Sequence, residues 1–274
     1  MNPVFSITTH YFQSIGDPQP YLGRIAESGF THIHWCHHWY TDFLYSQHEV
    51  VQIARWLEGF GLAVLNIHAS RGQEKDWGSL HEYARLSGVE LVQNRIHMAA
   101  DLGSDVIILH IPPSPAGNGS PDGKFAGQLY RSMDALAGFA RDLRIRIALE
   151  NMIREDYVLL DALLSRYGPE VLGFCYDSGH ANMGLDGLGN LERRKDRLIA
   201  IHLHDNDGQH DQHKIPFTGS VDWSRLMPII ASSPYRAGIN LEVVIAETGI
   251  SDERKFLEKT LTAGQRLDSM IPLP

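Results

Sequence analysis

Short runs of Val, Ile and Leu recur along the chain, each followed by a polar or glycine-rich stretch and then by a longer segment with apolar residues at helical spacing. The unit repeats eight times. The runs predict strands at 4–9, 31–35, 62–67, 105–109, 146–150, 172–177, 198–204 and 239–244, and the clearest helices between them fall at 46–61, 86–102 and 125–143. Near-continuous apolar strands alternating with amphipathic helices imply a parallel sheet covered on both faces. Eight such units in 274 residues fit an α/β fold of one closed (β/α)8 TIM barrel, occupying 1–274 as a single domain, better than an open doubly wound sheet.

Composition narrows the function. Hydrophobic residues make up 43% and charged residues 21%, so a large core can form. Asp plus Glu at 33 against Lys plus Arg at 24 gives a net charge of −9, which argues against nucleic acid and anionic lipid as partners and favours small ligands. Cys36 and Cys175 lie far apart in apolar contexts, as buried thiols of a reducing compartment do. With neither a leader pattern nor a membrane-length apolar run, the expected location is the cytoplasm. No GxGxxG follows the first strand and no P-loop is present, which removes the usual nucleotide-binding routes. Two long loops, 111–123 and 205–223, follow the fourth and seventh strands and are expected at the barrel mouth.

Histidine is the exceptional residue, with 15 in the chain. The histidines and carboxylates punctuate the strand ends: His10, His34, His68, His110, Glu150, Asp177, His202 with His204, and Glu242. In a barrel those ends converge on one face. Buried carboxylates are costly unless paired or coordinated, and a divalent cation satisfies Glu, Asp and His together. Each residue also has a purely structural reading. Glu150 could sit in a core ion pair, as could Glu242; Asp177 could cap a turn; and of His202 and His204, which share one side of a strand, one could merely support the other. The segment HWCHHWY, with Trp35 and Trp39, is either packing or an aromatic wall against a sugar ring.

The motifs ALEN (Glu150), CYDSGHAN (Asp177, His180), IHLHDNDGQHDQHKIPFTGSVDW (His202 to Trp223) and NLEVV (Glu242) resemble those of the xylose isomerase-like (β/α)8 superfamily, nearly end to end. That superfamily contains sugar isomerases, ketose epimerases, inositol-pathway isomerases and dehydratases, and endonuclease IV. The resemblance implies a divalent metal held by Glu150, Asp177, His202 and Glu242, the H-x-x-D form of strand seven selecting His202 over His204. Oxygen donors with imidazole accept Mn2+, Co2+ and Zn2+ alike, and Mn2+ or Zn2+ is the expected ion, with Co2+ and Mg2+ as alternatives. His180, Asp211 and His213 are the implied additional ligands. His68 and His110 match further endonuclease IV ligands, and with His180, His204 and Trp35 they are candidates for touching substrate. Gly208 stands where ketose epimerases carry an arginine.

Two activities follow from that resemblance. In the first, the enzyme isomerises or epimerises a ketose, cyclitol or related polyol through a metal-stabilised enediolate, with Glu150 and Glu242 as the catalytic carboxylates. In the second, an endonuclease IV-like cluster of zinc ions hydrolyses a phosphodiester, with Glu150 bridging metals. The acidic chain lacks the basic and wedge-like loops that grip a duplex, so a small sugar or polyol is the expected substrate. A homodimer is the expected assembly.

Overall fold

The computed structural model describes residues 3–114, 120–153 and 157–271. Eight strands follow in chain order: β1 (Phe5–Thr8), β2 (His32–Trp35), β3 (Ala63–His68), β4 (Val106–His110), β5 (Arg146–Glu150), β6 (Leu172–Asp177), β7 (Leu198–His202) and β8 (Ile239–Leu241). They form one parallel sheet in which each strand from β1 to β6 pairs with the next, while β8 pairs with β1. A parallel bridge between Leu203 and Leu241, with Leu203 N–H donating to Asn240 O, brings β7 against β8 and closes the barrel. This is the (β/α)8 architecture expected from the sequence.

The helices are α1 (Gln19–Glu27), α2 (Gln47–Phe60), α3 (Glu82–Asp101), α4 (Lys124–Asp142), α5 (Val158–Arg166), α6 (Ser178–Met183), α7 (Gly187–Arg194), α8 (Trp223–Ser232) and α9 (Glu253–Asp268). Local chemistry sets their ends. Ser46 and Glu49 form a reciprocal capping box before α2, and Gly61 closes that helix at φ 68°, a left-handed conformation that glycine adopts without a Cβ clash. Helix α3 begins at Glu82 rather than at 86, because Arg85 pairs with Glu82 and donates to the Ser132 hydroxyl, tying the polar first turn to α4. Apolar periodicity cannot register such a polar anchor. The seventh and eighth strands end earlier than predicted, at His202 and Leu241, where the chain turns into the mouth loops.

Strand alternation divides the core in two. Outward residues such as Ile107, Leu109, Ile147, Leu149, Phe174 and Ile201 pack against the helices. Inward, a narrow layer of Val106, Ile108, Ala148, Cys175 and Ala200 forms the barrel floor. The next inward positions towards the carboxyl ends are polar: His34, His110, Glu150, Asp177 and His202. Of the loop after β4 expected at the mouth, residues 115–119 lie outside the described residues. Among the described residues no helix is long and apolar enough to cross a membrane.

Candidate metal centre

The register aligns chemistry on adjacent strands, since His110 pairs with Glu150 and Asp177 with His202. Glu150, Asp177 and His202 are at most 1% exposed, and Glu242, just beyond β8, is 8% exposed. Their side chains meet. His202 Nδ1 lies 3.1 Å from Glu150 Oε1, 3.0 Å from Glu242 Oε2 and 3.9 Å from Asp177 Oδ2. The four side chains expected to hold a metal therefore converge from β5, β6, β7 and the end of β8.

Two further groups flank it. On one side His110 Nε2 lies 3.0 Å from Glu150 Oε2 and 3.1 Å from His68 Nε2, so Glu150 faces His202 with one oxygen and the histidine pair with the other. On the other side Asp211 Oδ2 lies 3.4 Å from His180 Nε2 and 3.3 Å from His213 Nε2. His204, assigned above to substrate, is fully buried; its Nε2 is 3.0 Å from Asp177 Oδ1 and its ring stacks on His213 at 3.9 Å between centroids.

These donors fit a divalent cation. His68, His180 and His213 each donate Nδ1–H to a backbone carbonyl, of Ala69, Asn151 and Glu242 respectively, at 2.8 Å. That fixes the tautomer and leaves a bare Nε2 aimed at a carboxylate or another imidazole, the arrangement in which ligating histidines are held. Two lone pairs or a lone pair and a carboxylate repel unless a proton or a metal lies between them.

The electrostatics match. Burial raises the carboxylate pKa values of Glu150 and Glu242, but the surrounding histidines outweigh it and hold both well below the ordinary range, His202 and His110 for Glu150, and His202 and His34 for Glu242. Burial lowers His202 and His180, yet the carboxylates around them drive both well above their usual value. His213 is raised to about 9, Asp211 outweighing burial. His110 is lowered by burial, with Glu150 opposing. The site thus carries fixed negative charge neutralised by imidazolium, a role that a divalent cation would equally fill.

Short-range order holds the ligands in place. Asp177 also caps α6, accepting from His180 N–H at 2.7 Å, so the capping role and the expected ligand role fall on the same side chain. Ser178 Oγ donates to His204 O and accepts from His204 N–H. Gly179 leaves the space that the His204 ring fills, since a Cβ there would stand 1.9 Å from its Cε1. Asp205 accepts from Asn206 N–H, Val221 N–H and Trp223 Nε1–H, which folds the loop 205–223 back on itself and sets Asp211 and His213 at the rim.

Trp35 is a correction. It is fully buried on the outward face of β2, with its indole N–H on the Tyr45 hydroxyl, because it alternates with the inward His34. Trp39 takes the mouth position instead, 5.2 Å from His68 and 5.8 Å from His110 between ring centroids. His34 is the residue that the ligand assignment passed over. Its Nδ1 is held by Asn66 Oδ1 and its ring lies 4.6 Å from that of His202. Its inward register beside the other ligands was the available signal.

Residues 22–260 match the family described as xylose isomerase-like TIM barrel. The chain belongs to that family. Among its relatives is the uncharacterized protein y4fM of Sinorhizobium fredii, 34% identical over 275 residues, covering 91% of this chain and 88% of the relative. Among solved structures, D-psicose 3-epimerase from Clostridium cellulolyticum H10 superposes with a TM-score of 0.79 at 15% identity, covering 98% of this chain and 100% of that one. An L-ribulose 3-epimerase gives a TM-score of 0.78 at 15% identity, with 98% and 96% covered. At such identities the structural likeness carries the fold, and the site must carry the chemistry.

Proposed function

We propose that this family member is a divalent-metal-dependent isomerase or epimerase acting on a ketose, a cyclitol or a related polyol. The observation that carries the reading is the approach of Glu150 and Glu242 to the same imidazole nitrogen, His202 Nδ1, at 3.1 and 3.0 Å. A divalent cation, Mn2+ or Zn2+ with Co2+ and Mg2+ as alternatives, supplies Lewis acidity there and stabilises the charge that develops when a proton leaves a carbon beside a carbonyl. Glu150 and Glu242 move the proton: one removes it and the other returns it. Return to the opposite face gives an epimer, and delivery to the neighbouring carbon gives an isomer. His180 and the His68–His110 pair surround Glu150 and orient substrate hydroxyls, while His204 holds Asp177 and Trp39 covers the apolar face of the ring. The epimerases among the structural neighbours support the substrate class. So does a net charge of −9, which disfavours a polyanion. A reducing cytoplasm suits the two free thiols.

The test is a panel of ketoses and cyclitols incubated in deuterated water, with mass or NMR detection of solvent-derived hydrogen. Deuterium should enter one product carbon with the wild-type chain, and Glu150→Gln and Glu242→Gln should nearly abolish it. Both variants retaining wild-type exchange would overturn the mechanism.

A second reading, zinc-dependent phosphodiester hydrolysis, is favoured by one specific observation: the His68–His110–Glu150 and His180–Asp211–His213 groups flank the cage as further metal seats. Three tightly held zinc ions per chain, with cleavage of a phosphodiester and no proton exchange on sugars, would establish it.

A further inference from the structure

Cys36, 1% exposed, follows β2 and lies against the carboxylate that closes the cage. Its Sγ is 3.0 Å from His34 Nε2 and 3.7 Å from Glu242 Oε1, and that nitrogen is itself 3.7 Å from the same oxygen. Sulfur, nitrogen and oxygen thus form a compact triangle. The cage takes Glu242 through its other oxygen, Oε2, at 3.0 Å from His202 Nδ1. Glu242 therefore faces two groups, one with each oxygen, as Glu150 does on the far side of the site.

We propose that Cys36 Sγ, His34 Nε2 and Glu242 Oε1 form a separate sulfur-containing cation seat, which takes a thiophilic divalent ion such as Zn2+ or Co2+ and shares Glu242 with the cage. The geometry is that of a tetrahedral face. Zinc bonds of about 2.3 Å to sulfur and about 2.0 Å to nitrogen or oxygen give ligand-to-ligand edges of roughly 3.3–3.6 Å. The observed edges of 3.0, 3.7 and 3.7 Å depart from these by up to about half an ångström, a shift within the reach of side-chain torsions.

The imidazole is prepared for this role. Asn66 Oδ1 holds His34 Nδ1–H, leaving Nε2 with a lone pair directed at the triangle, as the carbonyl-anchored His68, His180 and His213 also do. On binding, the Cys36 S–H bond breaks, its proton passes to solvent, and the sulfur electron pair forms the bond to the metal. Thiolate and carboxylate together then neutralise the two positive charges in a buried position. The ligand set also separates this seat from the oxygen-rich cage, since sulfur favours Zn2+ and Co2+ over Mg2+ and Mn2+. The other thiol, Cys175, belongs to the barrel floor with Ala148 and Ala200, near Glu150 and His202, and provides the control.

The experiment needs no turnover, so it stands or falls independently of the sugar reading. The full chain is stripped with chelator, titrated with Co2+, and followed in the near ultraviolet, where thiolate-to-cobalt charge transfer absorbs. The wild-type chain should show the band, Cys175→Ser should keep it, and Cys36→Ser should lose it together with one equivalent of bound cobalt. Should Cys36→Ser fail to fold, a band persisting in Cys175→Ser still assigns it, because the chain has only 2 cysteines. Absence of the band at saturating Co2+ overturns the proposal. So does a band that vanishes in Cys175→Ser.

Discussion

Removing the cation should make the protein lose stability as the pH rises, in the range where the loaded protein does not. His213 carries the calculation. Its pKa is raised to about 9 from 6.5, with Asp211 opposing burial, so its contribution to stability is complete below pH 6.5 and disappears as pH climbs through 9. That rise corresponds to about 3 kcal/mol. Its side chain is 22% exposed, so solvent screening trims the figure to about 2–3 kcal/mol. His180 and His202 shift in the same direction and add to the loss. Asp211, Glu150 and Glu242 shift downward, and their contributions vanish only at acid pH, outside this window. With metal bound, His202 is a ligand that protons compete for, and the cation's charge beside Glu150, Asp177 and Glu242 offsets the carboxylates that raise His180 and His213, so affinity and stability hold or rise with pH. Chemical denaturation of chelator-stripped and metal-loaded protein at pH 6.5, 7.5 and about 9 measures both trends. Parallel pH profiles for the two forms would refute the reasoning.

Other predictions follow from single contacts. Gly179→Ala places a Cβ 1.9 Å from His204 Cε1, so the ring must leave Asp177; we expect a loss of about 1–3 kcal/mol in stability by thermal melting and a weakened metal titration. Asp205→Asn turns an amide N–H2 or a lost charge towards three N–H donors, and should cost about 1–3 kcal/mol and loosen the loop that carries Asp211 and His213, read as faster hydrogen exchange over 205–223. Trp39→Ala should raise KM for the sugar substrate more than it lowers kcat, whereas Trp35→Phe, which removes a hydrogen bond on the helix side, should change stability and leave KM unaltered.

The fold was legible because strands such as β4, β5 and β7 are runs of β-branched and aliphatic residues, and because the polar residue that ends each of them breaks the run at the inward position. Glu150 and Asp177 occupy such positions in β5 and β6, and His110 and His202 in β4 and β7. Convergence at the mouth then follows from topology alone. Alternation would also have turned Trp35 away from His34, and it is the feature the aromatic cluster obscured. The place of Trp39 was not legible, because it depends on distant contacts that fix the loop between β2 and α2: the Ser70 hydroxyl sits among the carbonyls of His38, Trp39 and Thr41, and Arg95 donates to Phe43 O. The proximity of Cys36 to Glu242 is hidden for the same reason, since 206 residues separate them and only barrel closure joins β8 to β1. The start of α3 depends on a polar anchor to another helix, which hydrophobic periodicity does not encode.

The central claim is that side chains from four consecutive strand ends cage one cation. It is tested most directly by anomalous diffraction from crystals grown without added metal and from crystals soaked in Mn2+ or Zn2+. The account predicts an anomalous peak within bonding distance of Glu150, Asp177, His202 and Glu242 together. No peak among those four residues after soaking, or a peak held only by surface groups, would contradict it.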